Sequence, residues 1–405
     1  MARLQQSLRQ TVQGLPGTFW WLWSGTLVSR AGSFVLVFLA FFLTDELGYS
    51  PAFAGLVLAA YGLGNIGATL IGGILTDRIG RRPVLLGSQV STALVLLALA
   101  ETRGRLGLLL LVTAFGLMSN MSRPAYSAMM ADIVAPADRL RAFSLHYWAV
   151  NLGFAVAPVL AGLLAGVGYQ LLFYVDAATT FVFAVLVFLR VPESRPHLDE
   201  NVEANSGTMR DVLQDRVFLA FTLLTFGFAL IFMQHMSTLP VQMGEDGLSP
   251  AQYGKVIALN GVLIVLVTVP LTTWLQRFET ATVLAVAMLF IGGGFALTAL
   301  AHTPQEYAAT VAVWTIGEVI GAAVGPTVVA SLSPTHMRGR YQGVFGFAFA
   351  AGALIGPLLG GSVYDSLGSS ALWLGCGALG AATAVGHLLI APARRARLAE
   401  LAAAV

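Results

Sequence analysis

The sequence contains little charge: only 10% of its 405 residues are charged, whereas 57% are hydrophobic. Soluble globular domains carry roughly 25% charged residues, so this composition excludes an ordinary soluble protein. The 22 basic and 20 acidic residues nearly cancel, which argues against a nucleic-acid-binding protein. The single cysteine, Cys376, excludes an internal disulfide and a cysteine-rich metal site. The composition therefore indicates a membrane protein.

Long apolar runs fill most of the chain. A helix needs about 20 apolar residues to cross the hydrocarbon core, and about a dozen such runs fit this length. Their continuous Leu, Val, Ala and Phe content is typical of helices rather than of alternating strands. We therefore predict an all-α membrane protein with twelve transmembrane helices. The predicted spans are residues 17–43, 51–75, 83–100, 106–131, 142–166, 170–190, 217–242, 251–275, 281–301, 307–331, 341–364 and 370–391.

The basic residues predict the orientation of the chain. With the amino terminus inside, most of the 22 fall in the short cytoplasmic loops, as the positive-inside rule requires. We therefore expect a multi-pass protein of the cell (inner) membrane with both termini in the cytoplasm. The longest polar stretch, residues 191–216, is predicted to be a central cytoplasmic loop. It separates an amino-terminal half, residues 1–190, from a carboxy-terminal half, residues 217–405.

An internal repeat supports this division. Residues 46–55 (ELGYSPAFAG) and 245–254 (EDGLSPAQYG) share Glu, Gly, Ser-Pro-Ala and Gly at an offset of 199 residues. The same offset superposes Gly153, Pro158 and Gly162 on Gly352, Pro357 and Gly361. Two pseudo-symmetric six-helix halves are typical of membrane transporters that work by alternating access.

The loop after the second span combines an acid, two turn-forming residues and three arginines. Residues 73–83 read GILTDRIGRRP. A simple positive-inside loop is the alternative, but topology alone requires neither the aspartate nor the glycines. The segment resembles the signature loop of the major facilitator superfamily, G-x-L-a-D-r-x-G-r-r/k. The equivalent segment in the second half, residues 272–279, has lost this pattern.

The resemblance covers the whole chain and implies the major facilitator fold. In that family the loop aspartate meets the start of the eleventh helix and latches the outward-facing state. The resemblance implies that Asp77 contacts the start of the eleventh helix, where Arg338 and Arg340 lie. It also implies that Asp132 pairs with Arg81 or Arg82. Helix dipole and ion pairing favour such contacts. The predicted latch residues are Gly73, Asp77, Arg78, Gly80, Arg81, Arg82, Asp132, Arg338 and Arg340.

Small residues and proline recur in the fifth and eleventh spans. Their spacing allows close helix packing, and proline supplies a kink, so packing alone is one interpretation. The fifth-span segment also resembles the motif of the drug:proton antiporters, a group that exports, although Ala157 stands where that motif prefers glycine. The motif residues are Gly153, Pro158, Gly162, Gly352, Gly356, Pro357 and Gly361.

Ionisable residues within spans are costly and mark functional candidates. Here they are Arg30, Arg123, Asp176 and Glu318, accompanied by His146, His235 and His387. Asp176 lies near the outer end of its span, where interfacial pairing is as consistent as proton coupling. Arg123 is as consistent with a structural pair as with substrate contact. The three histidines are more typical of satisfied or interfacial polar residues.

Glu318 lies deepest, about 16 Å into the tenth span at 1.5 Å per residue. A carboxylate there is a candidate to bind and release a proton, unless a cation such as Arg30 holds it charged. Residues 317–326 and 338–343 resemble multidrug exporters of the LmrP type. That resemblance implies proton coupling and cation recognition by Glu318.

Large flexible or flat side chains lie near the predicted centre. Each is as consistent with lipid contact or core packing, but together they suit an amphipathic, variable substrate. They are Phe34, Phe38, Met118, Trp148, Phe232, Met233, Met236 and Trp314. With the charged and polar candidates, the predicted substrate cavity comprises Arg30, Phe34, Arg123, Trp148, Met233, His235 and Trp314.

No phosphate-binding G-x-x-x-x-G-K-[S/T] loop and no paired histidines occur in the sequence, so an ion gradient is the expected energy source. We predict a proton-coupled exporter of small amphipathic compounds, not an enzyme, without cofactor or metal and functioning as a monomer. Its expected partners are a small-molecule substrate, protons and the lipid bilayer, without nucleic acid. A proton-coupled importer of a metabolite shares every topological feature. A membrane sensor or scaffold that has lost transport is the third interpretation.

Overall fold

The computed structural model describes residues 14–49, 51–165, 168–195, 207–248 and 250–403, which contain helices, turns and loops but no strand. The helices, numbered in chain order, are α1 (Gly17–Ala31), α2 (Val35–Phe41), α3 (Pro51–Ile79), α4 (Arg81–Glu101), α5 (Arg105–Ile133), α6 (Arg139–Ala165), α7 (Tyr169–Arg190), α8 (Met209–Gln214), α9 (Arg216–Phe232), α10 (Gln234–Ser237), α11 (Leu239–Glu245), α12 (Pro250–Leu275), α13 (Thr280–Leu297), α14 (Pro304–Leu332), α15 (Arg338–Leu367), α16 (Ser369–Leu389) and α17 (Ala391–Ala403).

Ten helical segments within the described residues are long and apolar enough to cross a membrane. The predicted span 142–166 corresponds to α6, but several of its side chains and residue 166 lie outside the described part. Residues 196–206 of the predicted central loop also lie outside it.

The first predicted span, residues 17–43, is not one continuous helix. Helix α1 ends at Ala31, and α2 begins at Val35. Gly32 lies at the break, where its lack of a Cβ lowers the cost of leaving helical geometry. The carboxylate of Asp176 on α7 accepts a hydrogen bond from the Val35 amide at 3.2 Å. A π-helical turn, Phe42–Glu46, then ends the segment.

The seventh predicted span, residues 217–242, is broken in the same way. Helix α9 ends at Phe232, and the short helices α10 and α11 follow. Pro240 lies in the first turn of α11, and proline cannot donate a helical hydrogen bond. Met233, at the break, corresponds to Phe34 at the 199-residue offset. Both copies of the repeat therefore interrupt their first helix at the same position.

The chain forms two compact units. The first consists of Met1–Met209 with Thr335–Gly346, and the second consists of Arg210–Pro334 with Phe347–Val405. The start of α15 thus belongs with the first unit, whereas the sequence predicted a single division at residues 191–216.

Glycines allow helices to pack closely within the first unit. A Cβ on Gly64 of α3 would lie 2.1 Å from the Thr113 carbonyl oxygen of α5, and one on Gly116 would lie 2.2 Å from that of Tyr61. Such small residues are typical of helix contacts in membranes, where backbones must approach directly. The α3 and α5 pair carries the two carboxylates, Asp77 and Asp132, whose contacts are described below.

Candidate functional site

Asp77 lies in the last turn of α3 and contacts the first residues of α15. Its two carboxylate oxygens accept hydrogen bonds from the Gly339 and Arg340 amides, each at 2.8 Å. The Arg340 guanidinium lies 3.3 Å away, and that of Arg81 lies 3.6 Å away. Asp77 is buried, so these contacts are not weakened by bulk water. One carboxylate therefore satisfies two otherwise free amides at a helix start.

A second carboxylate, Asp132 at the end of α5, joins the same network. It accepts a hydrogen bond from Arg81 Nε at 2.9 Å and pairs with the Arg338 guanidinium. Arg81 also donates to the Thr335 carbonyl at 2.9 Å. The structure thus assigns Asp132 to Arg81, whereas Arg82 donates to the Phe188 carbonyl at 2.6 Å. Arg78 is exposed.

Glycine is required where the loop meets α15. A Cβ on Gly73 would lie 2.6 Å from the Gly339 carbonyl oxygen, closer than any real contact, so larger residues would force the helices apart. Gly80, at the turn before α4, has a φ of 109°, which favours glycine. The sequence motif is therefore explained by space and backbone geometry as well as by charge.

Sequence reasoning missed Glu193, which lies just after α7. Its carboxylate accepts hydrogen bonds from the Arg81 amide at 3.0 Å and the Arg82 amide at 3.1 Å. It therefore caps the start of α4, which has no side-chain cap of its own at Gly80. Only its position in the polar stretch after the sixth span hinted at such a role.

The glycines of the antiporter-like motif contact the broken helices. A Cβ on Gly153 of α6 would lie 2.5 Å from Arg30 Cβ, and one on Gly352 of α15 would lie 2.4 Å from Ala229 Cβ. Arg30 and Ala229 correspond at the 199-residue offset. A Cβ on Gly356 would lie 3.1 Å from Met233 Cβ, whereas one on Gly361 would meet open space.

For the other three motif residues, Pro158, Gly162 and Pro357, the structure gives no comparable helix contact within its described part. Pro357 lies inside α15. Only the helical backbone is described for Pro158 and Gly162, and their side-chain environments lie outside the described part.

Arg30, Arg123 and His146 form one cluster within the first unit. Arg30 interacts electrostatically with Arg123, Tyr61 and Asp176, and His146 interacts with both arginines. His146 also stacks on Tyr126 with ring centroids 4.2 Å apart. Asp176 is buried and caps α2, as described above. The structure therefore gives Asp176 a local structural contact in addition to the predicted coupling role, which stays a prediction.

Glu318 is the middle residue of the 29-residue helix α14 and is buried within the second unit. Its carboxylate accepts a hydrogen bond from Asn260 Nδ2 of α12 at 2.6 Å. The same amide group lies 3.0 Å from Thr315 Oγ1. Asn260 thus gives this carboxylate an uncharged hydrogen-bonding neighbour, and an amide group can bond to both the charged and the neutral form of an acid.

An aromatic cluster lies one helical turn before Glu318. The Trp314 ring lies 6.0 Å from Phe232 and 5.7 Å from His235, centroid to centroid. Trp314 and Phe34, which we expected to line a cavity, are 1% and 2% exposed and pack in the cores of their units. Met233, His235 and Trp148 are half-buried, and Trp148 stacks on Trp23 with centroids 5.9 Å apart.

The repeated helical units, their spans and their buried charges define a multi-pass membrane transporter rather than an enzyme. The family model described as Major Facilitator Superfamily matches residues 22–245 and 231–404. The chain therefore belongs to the Major Facilitator Superfamily, and the predicted fold class is confirmed.

Similar proteins agree with this assignment. The uncharacterized MFS-type transporter YqjV of Bacillus subtilis (strain 168) is 30% identical over 363 residues, 86% of this chain and 87% of that protein. The multidrug resistance protein MdtH of Cronobacter sakazakii (strain ATCC BAA-894) is 28% identical over 351 residues, 82% of this chain and 85% of that protein. The crystal structure of the human organic anion transporter MFSD10 (TETRAN) has a TM-score of 0.75 at 18% identity, covering 92% of this chain and all of that one.

Proposed function

We propose that this transporter is a proton-coupled antiporter that exports small amphipathic compounds by alternating access. The observation that carries the proposal is Glu318, a buried carboxylate at the centre of α14 that accepts a hydrogen bond from the neutral Asn260. Buried ionisable residues in membrane spans mark ion or proton pathways. The multidrug resistance protein among the relatives supports export of compounds rather than import.

The aromatic cluster that includes Trp314, one helical turn before Glu318, supports an amphipathic substrate. Phe228, Phe232 and Phe349 lie with ring centroids 5.7 to 6.4 Å apart, and Met233 follows directly. Flat and flexible apolar side chains adapt to different shapes at little cost. Protonation of a carboxylate beside such a surface would change its affinity for a charged or polar ligand, which couples the two events.

Replacing Glu318 with Gln tests the coupling. Gln resembles the protonated acid and can still bond to Asn260, so insertion and folding should be retained. In liposomes with an imposed pH difference, Glu318→Gln should abolish uphill accumulation of a transported dye while retaining downhill exchange. The same test on inverted vesicles gives the direction of transport. Uphill transport equal to wild type by the Gln variant would reject Glu318 and move attention to Asp176 or Asp132.

Glu306→Gln is the matched control, because Glu306 lies on the same helix in its exposed first turn, where it completes a capping box. Its substitution should leave pH-driven accumulation intact. A loss of transport in both variants would indicate damage to α14 rather than loss of a proton site.

A further inference from the structure

Three consecutive glycines determine how α13 packs within the second unit. A Cβ on Gly292 would lie 2.8 Å from Gly380 Cα of α16, and one on Gly294 would lie 2.6 Å from the Trp314 amide nitrogen of α14. These two glycines let neighbouring backbones approach directly, as small residues do in membrane helices. A Cβ on Gly293, between them in sequence, would meet no atom within 4 Å. The side of α13 that carries Gly293 is therefore left open.

An apolar groove, the α13 groove, runs along this open side. It has a volume of about 740 Å³, and its walls are formed by α13, the turn that follows it, α14 and α16. Leu289, Gly293 and Leu297 line it from α13, and their spacing of four residues places them on one face of the helix. Val313 of α14 and Leu374 of α16 also line it.

The α13 groove extends through one half of the membrane thickness. The span that contains α13 runs from Thr280 to Leu300, and the groove is lined from Leu289, near the middle of that span, to Leu300 at its end. This distance is about 16 Å at 1.5 Å per residue, or about half of the roughly 30 Å hydrocarbon core. Val313 is the tenth residue of α14, and Leu374 is the sixth of α16. The groove therefore runs from one membrane surface to the midplane.

An apolar molecule is needed to fill this groove. Helix α13 contains no charged residue along its whole length, as expected for a helix with apolar surroundings on all sides. Leu289 and Leu300 are 53% and 73% exposed, so the groove is open at the protein surface. Ser370 is the one polar residue among those that line it. Water gains few hydrogen bonds from such walls, and an unfilled groove would forfeit dispersion contacts.

The length of the groove indicates which apolar molecule fits it. A helix from a second copy of this chain would cross the full thickness of the membrane, whereas the groove ends near the midplane. The acyl chains of a phospholipid also end there, because each leaflet supplies half of the hydrocarbon core. Ser370 lies exposed at the start of α16, where its hydroxyl group can donate a hydrogen bond to an ester carbonyl.

We propose that the α13 groove holds one acyl chain of a bilayer phospholipid, with the end of the chain at Leu289 and its ester near Ser370. This lipid site does not depend on the transported compound or on the coupling ion. With both termini in the cytoplasm, as the basic residues predict, the lipid belongs to the outer leaflet.

Filling the groove with a side chain tests the proposal. Gly293→Leu adds atoms where α13 has open space, and leucine favours a helix more than glycine does, so the variant should fold without a loss of Tm. Native mass spectrometry of the purified full-length protein, titrated with dioleoylphosphatidylcholine in detergent, counts the bound lipids. Gly293→Leu should bind its first lipid at least about threefold more weakly than wild type, because the leucine displaces packing contacts of the acyl chain.

Gly375→Leu is the matched control. Gly375 is exposed on α16, also has open space at its Cβ position and does not line the groove, so its lipid binding should match wild type. Equal first-lipid affinity in all three proteins overturns the proposal. A protein dimer that Gly293→Leu abolishes without changing lipid binding would assign the groove to a second copy of the chain and also overturns it.

Cross-linking to the wild-type protein tests the position of the acyl chain without any substitution. In nanodiscs, phosphatidylcholine with a diazirine at the end of one acyl chain should label Leu289 and Val313, and a diazirine beside the ester should label Leu300 instead. Leu94, exposed on α4, reports the contact that any surrounding lipid makes, and labelling in the groove should exceed it. Equal labelling of Leu289 and Leu94, or the same labelling pattern from both diazirine positions, overturns the proposal.

Discussion

Glu193 shows how a single carboxylate can order a charged loop. Arg81 and Arg82 each donate their backbone amide to Glu193, while their guanidinium groups reach Asp132 and the Phe188 carbonyl. The acid therefore holds the backbone of both residues and leaves the Arg81 side chain available for the network around Asp77. A negative charge at the start of a helix is also favoured by the helix dipole.

Removing this cap should lower stability. Glu193→Ala leaves two amides at the start of α4 without their acceptor, and loss of a helix cap costs about 1 kcal/mol. We expect a lower Tm for the purified protein in detergent. Glu46→Ala, at an exposed acid in the π-helical turn, should not change it. Equal melting temperatures for both variants would mean that Glu193 contributes no capping energy.

At the scale of the element, the two broken helices distinguish the structure from its hydropathy profile. Residues 17–43 and 217–242 are apolar enough to predict continuous spans, because hydropathy reports burial and not backbone continuity. After the break at Gly32, the new helix begins at Val35, whose amide bonds to Asp176, 141 residues farther along the chain, and no local pattern reveals that pairing. The break near Met233 is marked in sequence only by Pro240. In contrast, Gly153 lies close to Arg30 and Gly352 lies close to Ala229, and the 199-residue repeat in the sequence relates these two contacts to each other.

Substitutions of Asp176 should separate its two candidate roles. Asn caps a helix about as well as Asp, whereas Ala does not. Both substitutions remove the charge that attracts Arg30, but only Ala also removes the acceptor for the Val35 amide. Asp176→Ala should therefore be about 1 to 2 kcal/mol less stable than Asp176→Asn. If Asp176 also carries protons, the Asn variant should be stable yet lose pH-driven accumulation. Chemical unfolding and liposome transport measure the two effects, and a fully stable Ala variant would contradict the capping role.

At the scale of the whole molecule, two separate segments of the chain form the first unit. Residues Thr335–Gly346 follow α14 of the second unit but belong with the first, where they contact Asp77, Asp132 and Arg81. The sequence motif and its family resemblance predicted that Asp77 would reach the start of this helix. They did not predict that the whole segment would pack with the first unit, since that packing depends on many residues and not on any one motif.

The latch assignment predicts that Asp77 controls whether the start of α15 stays bound. Asp77→Asn removes the charge that accepts two amide hydrogen bonds and faces two arginines. Charge-assisted bonds contribute about 1.5 to 3 kcal/mol, so the released population should rise about tenfold or more. Transport should fall while substrate affinity and folding are retained, because the change shifts a conformational balance and does not alter the binding residues.

Thr76 reports this release directly. Its side chain is buried, and a Cβ on Gly339 of α15 would lie 2.8 Å from Thr76 Cβ, so α15 covers it. In a Cys376→Ala background, a Thr76→Cys reporter should react about tenfold faster with a membrane-impermeant maleimide when Asp77 is Asn. The neighbouring Arg78→Gln variant changes an exposed charge outside the network and should leave the rate unchanged. Because α15 shields the thiol only while Asp77 holds it, an unchanged rate in Asp77→Asn with full transport would exclude the latch.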